Sequence, residues 1–323
     1  MQVGLFINTQ FPPGESVAGH MPELVAQVRT ARDAGFASLL LPHHYLTAPL
    51  QMLQLAPAMA YLLREAEGML VGPGIIILPL LNPVHVAEEA ATFDVLSGGN
   101  YVLGVGLGYR EPEFTAFGVP LGERAARMSE SIGLMRRLWT EDRVTLTGRF
   151  YQVQDAGLGL KPVRPGGPPI WVAAQADAAI RRAARIGDAW LVVPSAALDQ
   201  LTGQMATYRA ALAEAGRSAA CFPIERECYV GASHRTALAE CRGPLEYKYA
   251  AYASWGLAGS TQMPFEQFVR DRFIIGDATF VKEEVARFHT TLGVDHFVMR
   301  VQWPGLSQEQ ALGSIRRLGQ VFA

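Results

Sequence analysis

Cysteine is scarce in this chain. Three residues, Cys221, Cys228 and Cys241, are spread over 323 positions. None stands in a C-x-x-C pair, so neither a zinc ribbon nor a thioredoxin-type centre is indicated. A sparse, odd set argues against a disulfide framework and for a reducing compartment, here the cytoplasm. Long apolar runs are missing as well. The longest, 74–81, falls far short of the ~20 residues a membrane helix needs. The first residues, Met1-Gln2-Val3-Gly4-Leu5-Phe6, read as a strand and lack the basic-then-apolar layout of a secretory signal. Charge of one sign is not in excess: the formal net charge is -2 and no segment is densely basic. Nucleic acid and anionic membranes are therefore not expected partners. No Gly/Pro/Ser linker divides the sequence, so 1–323 reads as one domain.

What is present is apolar mass in an alternating order. Half of the residues are hydrophobic and only 18% are charged, which suits a large buried core. Strand patterns fall at 2–8, 36–41, 69–80, 101–107, 169–174, 189–193, 222–232 and 296–301. Helix patterns fall at 22–34, 82–96, 123–139, 177–187, 198–215, 281–292 and 312–321. Asn82-Pro83 supplies an N-cap and a first-turn proline for the second of these. Alternation over this length predicts a parallel sheet wrapped in helices. Eight strand candidates favour a closed (β/α)₈ TIM barrel over an open doubly wound sheet. The aromatic stretch 236–277 has no clear pattern and reads as an irregular insertion after strand seven. Its natural place is over the carboxyl end of the barrel, as a cap.

Several segments could carry chemistry. Phe36-Ala-Ser-Leu-Leu-Leu-Pro-His43-His44 is a buried strand ending in two imidazoles, at the end where α/β proteins place their sites. Adjacent strand residues point to opposite faces, so the pair cannot easily share a metal ion, and no metal is expected. Gly104, Gly106 and Gly108 share a strand face, which means that packed side chains or a flat ligand approach closely. They do not make a dinucleotide fingerprint, because position 109 is Tyr109 and no helix pattern begins there. Pro169-Pro-Ile-Trp-Val-Ala-Ala174-Gln175-Ala176-Asp177 is a strand, a turn of small residues and a helix start. Free amides there could hold a phosphate. Pro73 and Gly74 interrupt the third strand and suggest a bulge.

Taken together, these segments resemble the bacterial luciferase-like flavin-dependent oxidoreductases over nearly the whole length. The carriers are 34–44, Gly74-Ile-Ile-Ile-Leu-Pro-Leu-Leu-Asn-Pro, Asp94-Val-Leu-Ser-Gly-Gly-Asn-Tyr-Val-Leu-Gly-Val-Gly-Leu-Gly108, Phe117-Gly-Val-Pro120 and 169–174 with Ala184-Arg-Ile-Gly-Asp188. The resemblance implies a TIM barrel with insertions, often dimeric, that binds FMN or alternatively the deazaflavin F420. It implies monooxygenation by reduced FMN and oxygen on a small organic substrate, with hydride transfer with F420, or flavin binding without catalysis, as the alternatives. His43 would be the catalytic histidine. Phe6, Gly74, Ile75, Gly106, Leu107 and Gly108 would lie against the cofactor ring, with its phosphate on Ala174, Gln175 and Ala176. His44 and Tyr109 would face the substrate. A cis peptide is implied at Gly74-Ile75. Leu107 stands where luciferase has a phosphate-binding arginine, so aldehyde oxidation and light emission do not transfer. Without an NAD(P)H fingerprint, a separate flavin reductase is the expected partner, with a homodimer as the expected assembly.

Overall fold

The computed structural model describes residues 1–256 and 264–322. Eight strands form the framework: β1 (Gln2–Phe6), β2 (Ser38–Leu41), β3 (Leu70–Pro73, resuming at Ile76–Ile77), β4 (Leu103–Gly106), β5 (Ile170–Ala173), β6 (Ala189–Leu191), β7 (Pro223–Val230) and β8 (His296–Arg300). Each neighbouring pair is parallel: β8 with β1, β1 with β2, β2 with β3, β3 with β4, β4 with β5, β5 with β6, and β7 with β8. Backbone pairing also joins Val71 to Tyr101 and Val192 to Ile224. With the second of these bridges β6 meets β7, and the circuit of eight is complete. This is the TIM barrel that the alternating pattern predicts.

Helices cover the outside: α1 (Val17–Asp33), α2 (Leu55–Leu63), α3 (Pro83–Leu96), α4 (Glu111–Ala116), α5 (Arg124–Thr140), α6 (Asp177–Ile186), α7 (Leu198–Glu214), α8 (His234–Ser254), α9 (Phe265–Val269), α10 (Ala278–Leu292) and α11 (Gln308–Phe322). Asn82 caps α3 by accepting from the Val84 amide at 2.9 Å, with Pro83 in the first turn. α1 starts five residues earlier than the apolar pattern at 22–34 suggests. Ser16 caps it by accepting from Gly19, and Pro22 is accommodated near its start. Side chains alternate across the strands. Leu39 and Leu41 join the large outer core, whereas Leu40, Phe6, Val102, Trp171 and Val298 fill the lumen.

Two expectations are corrected. The third strand is not continuous over 69–80: it breaks at Gly74-Ile75, whose peptide is cis, and ends in a 3₁₀ turn at Leu78–Leu80. The stretch 236–277 is not irregular either. It holds all but the first two residues of the 21-residue α8, followed by α9 and an extra strand, Ile274–Gly276, beside β7. Its aromatic residues obscured the helix because they face two ways. Tyr249 packs with Phe268 and Phe273, while Tyr252 and Trp255 stack with each other. Positions 257–263 of that stretch lie outside the described residues. No described helix is long and apolar enough to cross a membrane.

At the closed end of the barrel, Ser38 Oγ lies 2.7 Å from His296 Nε2, and both residues are buried. Burial pushes the His296 imidazole down to about 4. The native protein thus keeps this ring neutral, while the unfolded chain takes up a proton below its ordinary pKa of about 6.5. Stability should fall as the pH drops from about 6.5 toward 4, because the unfolded state then binds more protons. Urea midpoints at neutral and mildly acidic pH check this, and equal midpoints would contradict it.

Candidate active site

The two histidines lie in the loop after β2, which ends at Leu41, and their contacts send them apart: His43 turns toward α2 and α3, His44 toward Tyr109 and Trp255. His43 packs edge-on against Tyr45, with ring centres 4.4 Å apart. It lines a cavity of about 190 Å³ between the barrel wall and α2 and α3, together with Gln54, Ile76, Glu89 and Leu103. Its Nδ1 is buried and has no hydrogen-bond partner among the described residues. Burial, helped by the neighbouring His44, pushes its pKa down to about 4, so the ring is neutral.

His44 faces the mouth. Its ring meets Tyr109 and Trp255 edge-on, with centres 5.8 and 5.6 Å away. Its Nδ1 lies 3.1 Å from Glu113 Oε1. Glu113 is fully buried and also accepts from the Tyr45 amide at 2.8 Å. α4 delivers it: this short helix begins at Glu111, immediately after the glycine strand, where the sequence pattern shows no helix. Arg110, at the N-cap of α4, donates to the Tyr45 and Leu46 carbonyls and lies 3.4 Å from Glu113. Its guanidinium stacks 4.4 Å above the Trp255 ring. Burial works to raise the Glu113 carboxyl. The hydrogen bonds from His44 and Tyr45, with the charges of His44 and Arg110, outweigh it and hold the group below the usual carboxylate range. An ionised carboxylate only accepts, so the bonded Nδ1 carries the proton and His44 Nε2 is left to exchange one.

A second cluster lies deeper. Glu225 and Glu227 are two apart on β7 and share a face, and Arg300 comes from β8. Lys248 reaches down from α8. Glu227 accepts from Lys248, from the Trp303 indole and from the Tyr249 hydroxyl at 3.0 Å. Arg300 lies 3.7 Å from Glu227, 3.9 Å from Glu225 and 3.8 Å above the Phe6 ring. Burial opposes ionisation of Glu227, but Lys248, Arg300 and the Trp303 bond keep it low. Tyr252, held by Gln10 at 3.0 Å, stacks with Trp255 and lies under the Lys248 ammonium. The two clusters are thus one continuous surface.

The sequence-derived ring contacts divide. Phe6, Gly74 and Ile75 border the lumen. Leu107 packs toward the outer core. The faces of Gly106 and Gly108 are already filled. A Cβ at Gly106 would stand 2.6 Å from Ile75 Cδ1, and one at Gly108 would stand 2.5 Å from Ile77 Cγ2. Packed side chains account for both glycines. A Cβ at Gly74 would meet Phe6 at 2.8 Å and Glu225 Oε1 at 2.9 Å. Ala174–Ala176 form the turn before α6. Its N-cap, Ala176, has no side-chain cap; its carbonyl accepts from the Ala179 amide at 2.8 Å, which leaves the Asp177 and Ala178 amides uncapped. The turn's carbonyls are tied back instead: Trp190 donates to Ala174 at 3.0 Å and Gln204 to Gln175 at 2.6 Å. Small side chains and open amides fit a phosphate, although Asp177 adds a negative charge beside them. Arg110, Glu113, Glu225, Glu227, Lys248 and Arg300 were not singled out from sequence. The i, i+3 spacing of Arg110 and Glu113 and the Glu-x-Glu of a buried strand were the available signals.

Comparisons with known proteins agree with this architecture. Residues 1–296 match the luciferase-like monooxygenase family. An F420-dependent glucose-6-phosphate dehydrogenase of Segniliparus rotundus is 30% identical over 256 residues, 73% of each chain. Its counterpart from Intrasporangium calvum is 34% identical over 182 residues, so the match spans 52% of this chain and 53% of that protein. The monooxygenase RslO1 from Streptomyces bottropensis has the same fold, with a TM-score of 0.88 at 23% identity over 99% of this chain and 98% of that one. The chain therefore belongs to the luciferase-like monooxygenase family of oxidoreductases.

Proposed function

We propose that the protein is an FMN-type monooxygenase, using reduced FMN and oxygen to oxygenate a small organic substrate. The observation that carries this reading is the His44–Glu113 pair set among Tyr109, Tyr252 and Trp255 at the mouth of the barrel. Residues 74–75 and Phe6 would border the cofactor ring, and the 174–177 turn would hold its phosphate through the open amides of α6. When bound, reduced FMN supplies the electrons that activate oxygen for transfer to the substrate. The protein's own part is proton handling and exclusion of water. Glu113 fixes the orientation of His44, and His44 Nε2 takes or returns a proton at the reacting centre. α8, with Tyr252 and Trp255, acts as a cap that keeps the site dry. A separate NAD(P)H:flavin reductase would deliver the reduced cofactor.

The 30% identity to an F420-dependent dehydrogenase over 73% of the chain favours a second reading, hydride transfer with F420 on the same barrel. Titration of the protein with reduced FMN, FMN and F420, followed by fluorescence, distinguishes the two. FMN-type binding with oxygen uptake supports the first. Saturable F420 binding without FMN binding would replace it. Ala176→Asp places a carboxylate against the phosphate turn and should weaken cofactor affinity by about tenfold or more. Unchanged affinity would move the phosphate elsewhere.

A further inference from the structure

The cations of the mouth are all engaged by acids of the same chain. Among the described residues, Arg110, Lys248 and Arg300 are the buried cations that meet the buried carboxyl groups Glu113, Glu225 and Glu227, whereas the buried Arg226 of β7 faces outward, donating to the Val193 and Ala196 carbonyls and lying over Phe288 of the outer core. Arg110 is held by Glu113 and two carbonyls, Lys248 by Glu227, and Arg300 between Glu225 and Glu227. We propose that the substrate of this site is an uncharged molecule, and that Glu225 and Glu227 set this selectivity by neutralising Arg300 and Lys248. The inference rests on the redox reading above for the word substrate, but its physical content is a statement about which ligands the mouth admits.

An oxyanion entering this mouth loses its hydration and finds no net positive charge in return. To reach a guanidinium or ammonium it has to displace a buried carboxylate already in place. Proton movement within the cluster does not change the balance. Burial raises Glu225 to about 7 and lowers Lys248 to about 7, so a proton passing from Lys248 to Glu225 leaves the sum unaltered. A neutral molecule meets different conditions. The exposed Tyr109 ring offers an apolar face, while Arg110 and Lys248 already lie over the Trp255 and Tyr252 rings. The Glu225 carboxyl accepts no hydrogen bond from the described residues, its nearest ion being Arg300 at 3.9 Å, so it is available to a hydroxyl or N–H. An uncharged body with a hydrogen-bond donor is the class that satisfies both.

The test uses the full chain without cofactor and inorganic phosphate as the probe, read by the indole N–H resonances of Trp255 and Trp303 in a ¹⁵N spectrum. Trp303 donates to Glu227 and Trp255 lies under Arg110, so the two report on the mouth. In the wild type neither resonance should move. In Glu225→Gln, which keeps shape and releases Arg300, both should shift saturably, with affinity at least about tenfold above the wild-type bound. Glu227→Gln should behave likewise where it folds. Saturable shifts in the wild type, or silence in folded Glu225→Gln, would overturn the proposal. The backbone amides of Asp177 and Ala178 report separately on the phosphate turn. Their failure to move would count against the cofactor placement and leave the selectivity result intact.

Discussion

His44→Ala should lower turnover with reduced FMN and oxygen by about 10²- to 10⁴-fold, the usual range for losing a positioned acid–base group. His43→Ala should lower it by less than about tenfold. The family resemblance assigns the catalytic role to His43, and the contacts of the two rings argue for its neighbour. His43 sits on the outer face of the barrel wall, neutral and against Tyr45. His44 lies in the mouth and is oriented by an ionised carboxylate. Glu113→Gln sharpens the comparison. The amide can still hold the ring, but it no longer fixes the tautomer or stabilises an imidazolium. Turnover should fall and the pH–rate profile should shift, while the urea midpoint changes much less than the rate. A larger loss in His43→Ala than in His44→Ala would return the catalytic role to His43.

Glu227→Gln should destabilise the fold by about 3–5 kcal/mol, because it strands Lys248 and Arg300 as buried charges without their main partner. Three donors converge on this one carboxylate, Lys248 and Tyr249 from α8 and Trp303 from the loop that follows β8, with Arg300 of β8 lying 3.7 Å away. The loss is therefore expected to loosen α8 from the barrel as well as to lower the urea midpoint. Lys248→Met in the same background removes one of the stranded charges. The double variant should be more stable than the sum of the two single effects by at least about 1 kcal/mol. Strict additivity would mean that the pair contributes nothing beyond its separate burial costs.

The framework was legible from sequence because the determinants of strands and helices are local and repeat. The run Leu39-Leu40-Leu41 reads as a strand buried on both faces, and it is one. Asn82-Pro83 announces a helix start wherever it stands before a periodic segment. Eight such strands in order leave few topologies open, so the barrel followed. α8 was missed for an equally physical reason. Its mean apolar signal is mixed by tyrosines that serve two different neighbours and by Lys248, which is buried although it is charged. Nothing local in 236–254 marks a lysine that will be covered.

By itself the sequence determined the alternating elements, the TIM barrel, the family and the end of the barrel where polar residues collect. Tertiary structure alone decided which histidine enters the mouth, since both lie in the loop beyond Leu41 and only the packing of α2, α3 and α4 around that loop turns them apart. It alone brought Glu113 to His44 across 69 positions and Glu227 to Lys248 across 21. It also showed that Gly106 and Gly108 yield space to Ile75 and Ile77. Charges separated along the chain have no mutual energy until folding removes the water between them, and that is why the site's electrostatics could not be read in advance.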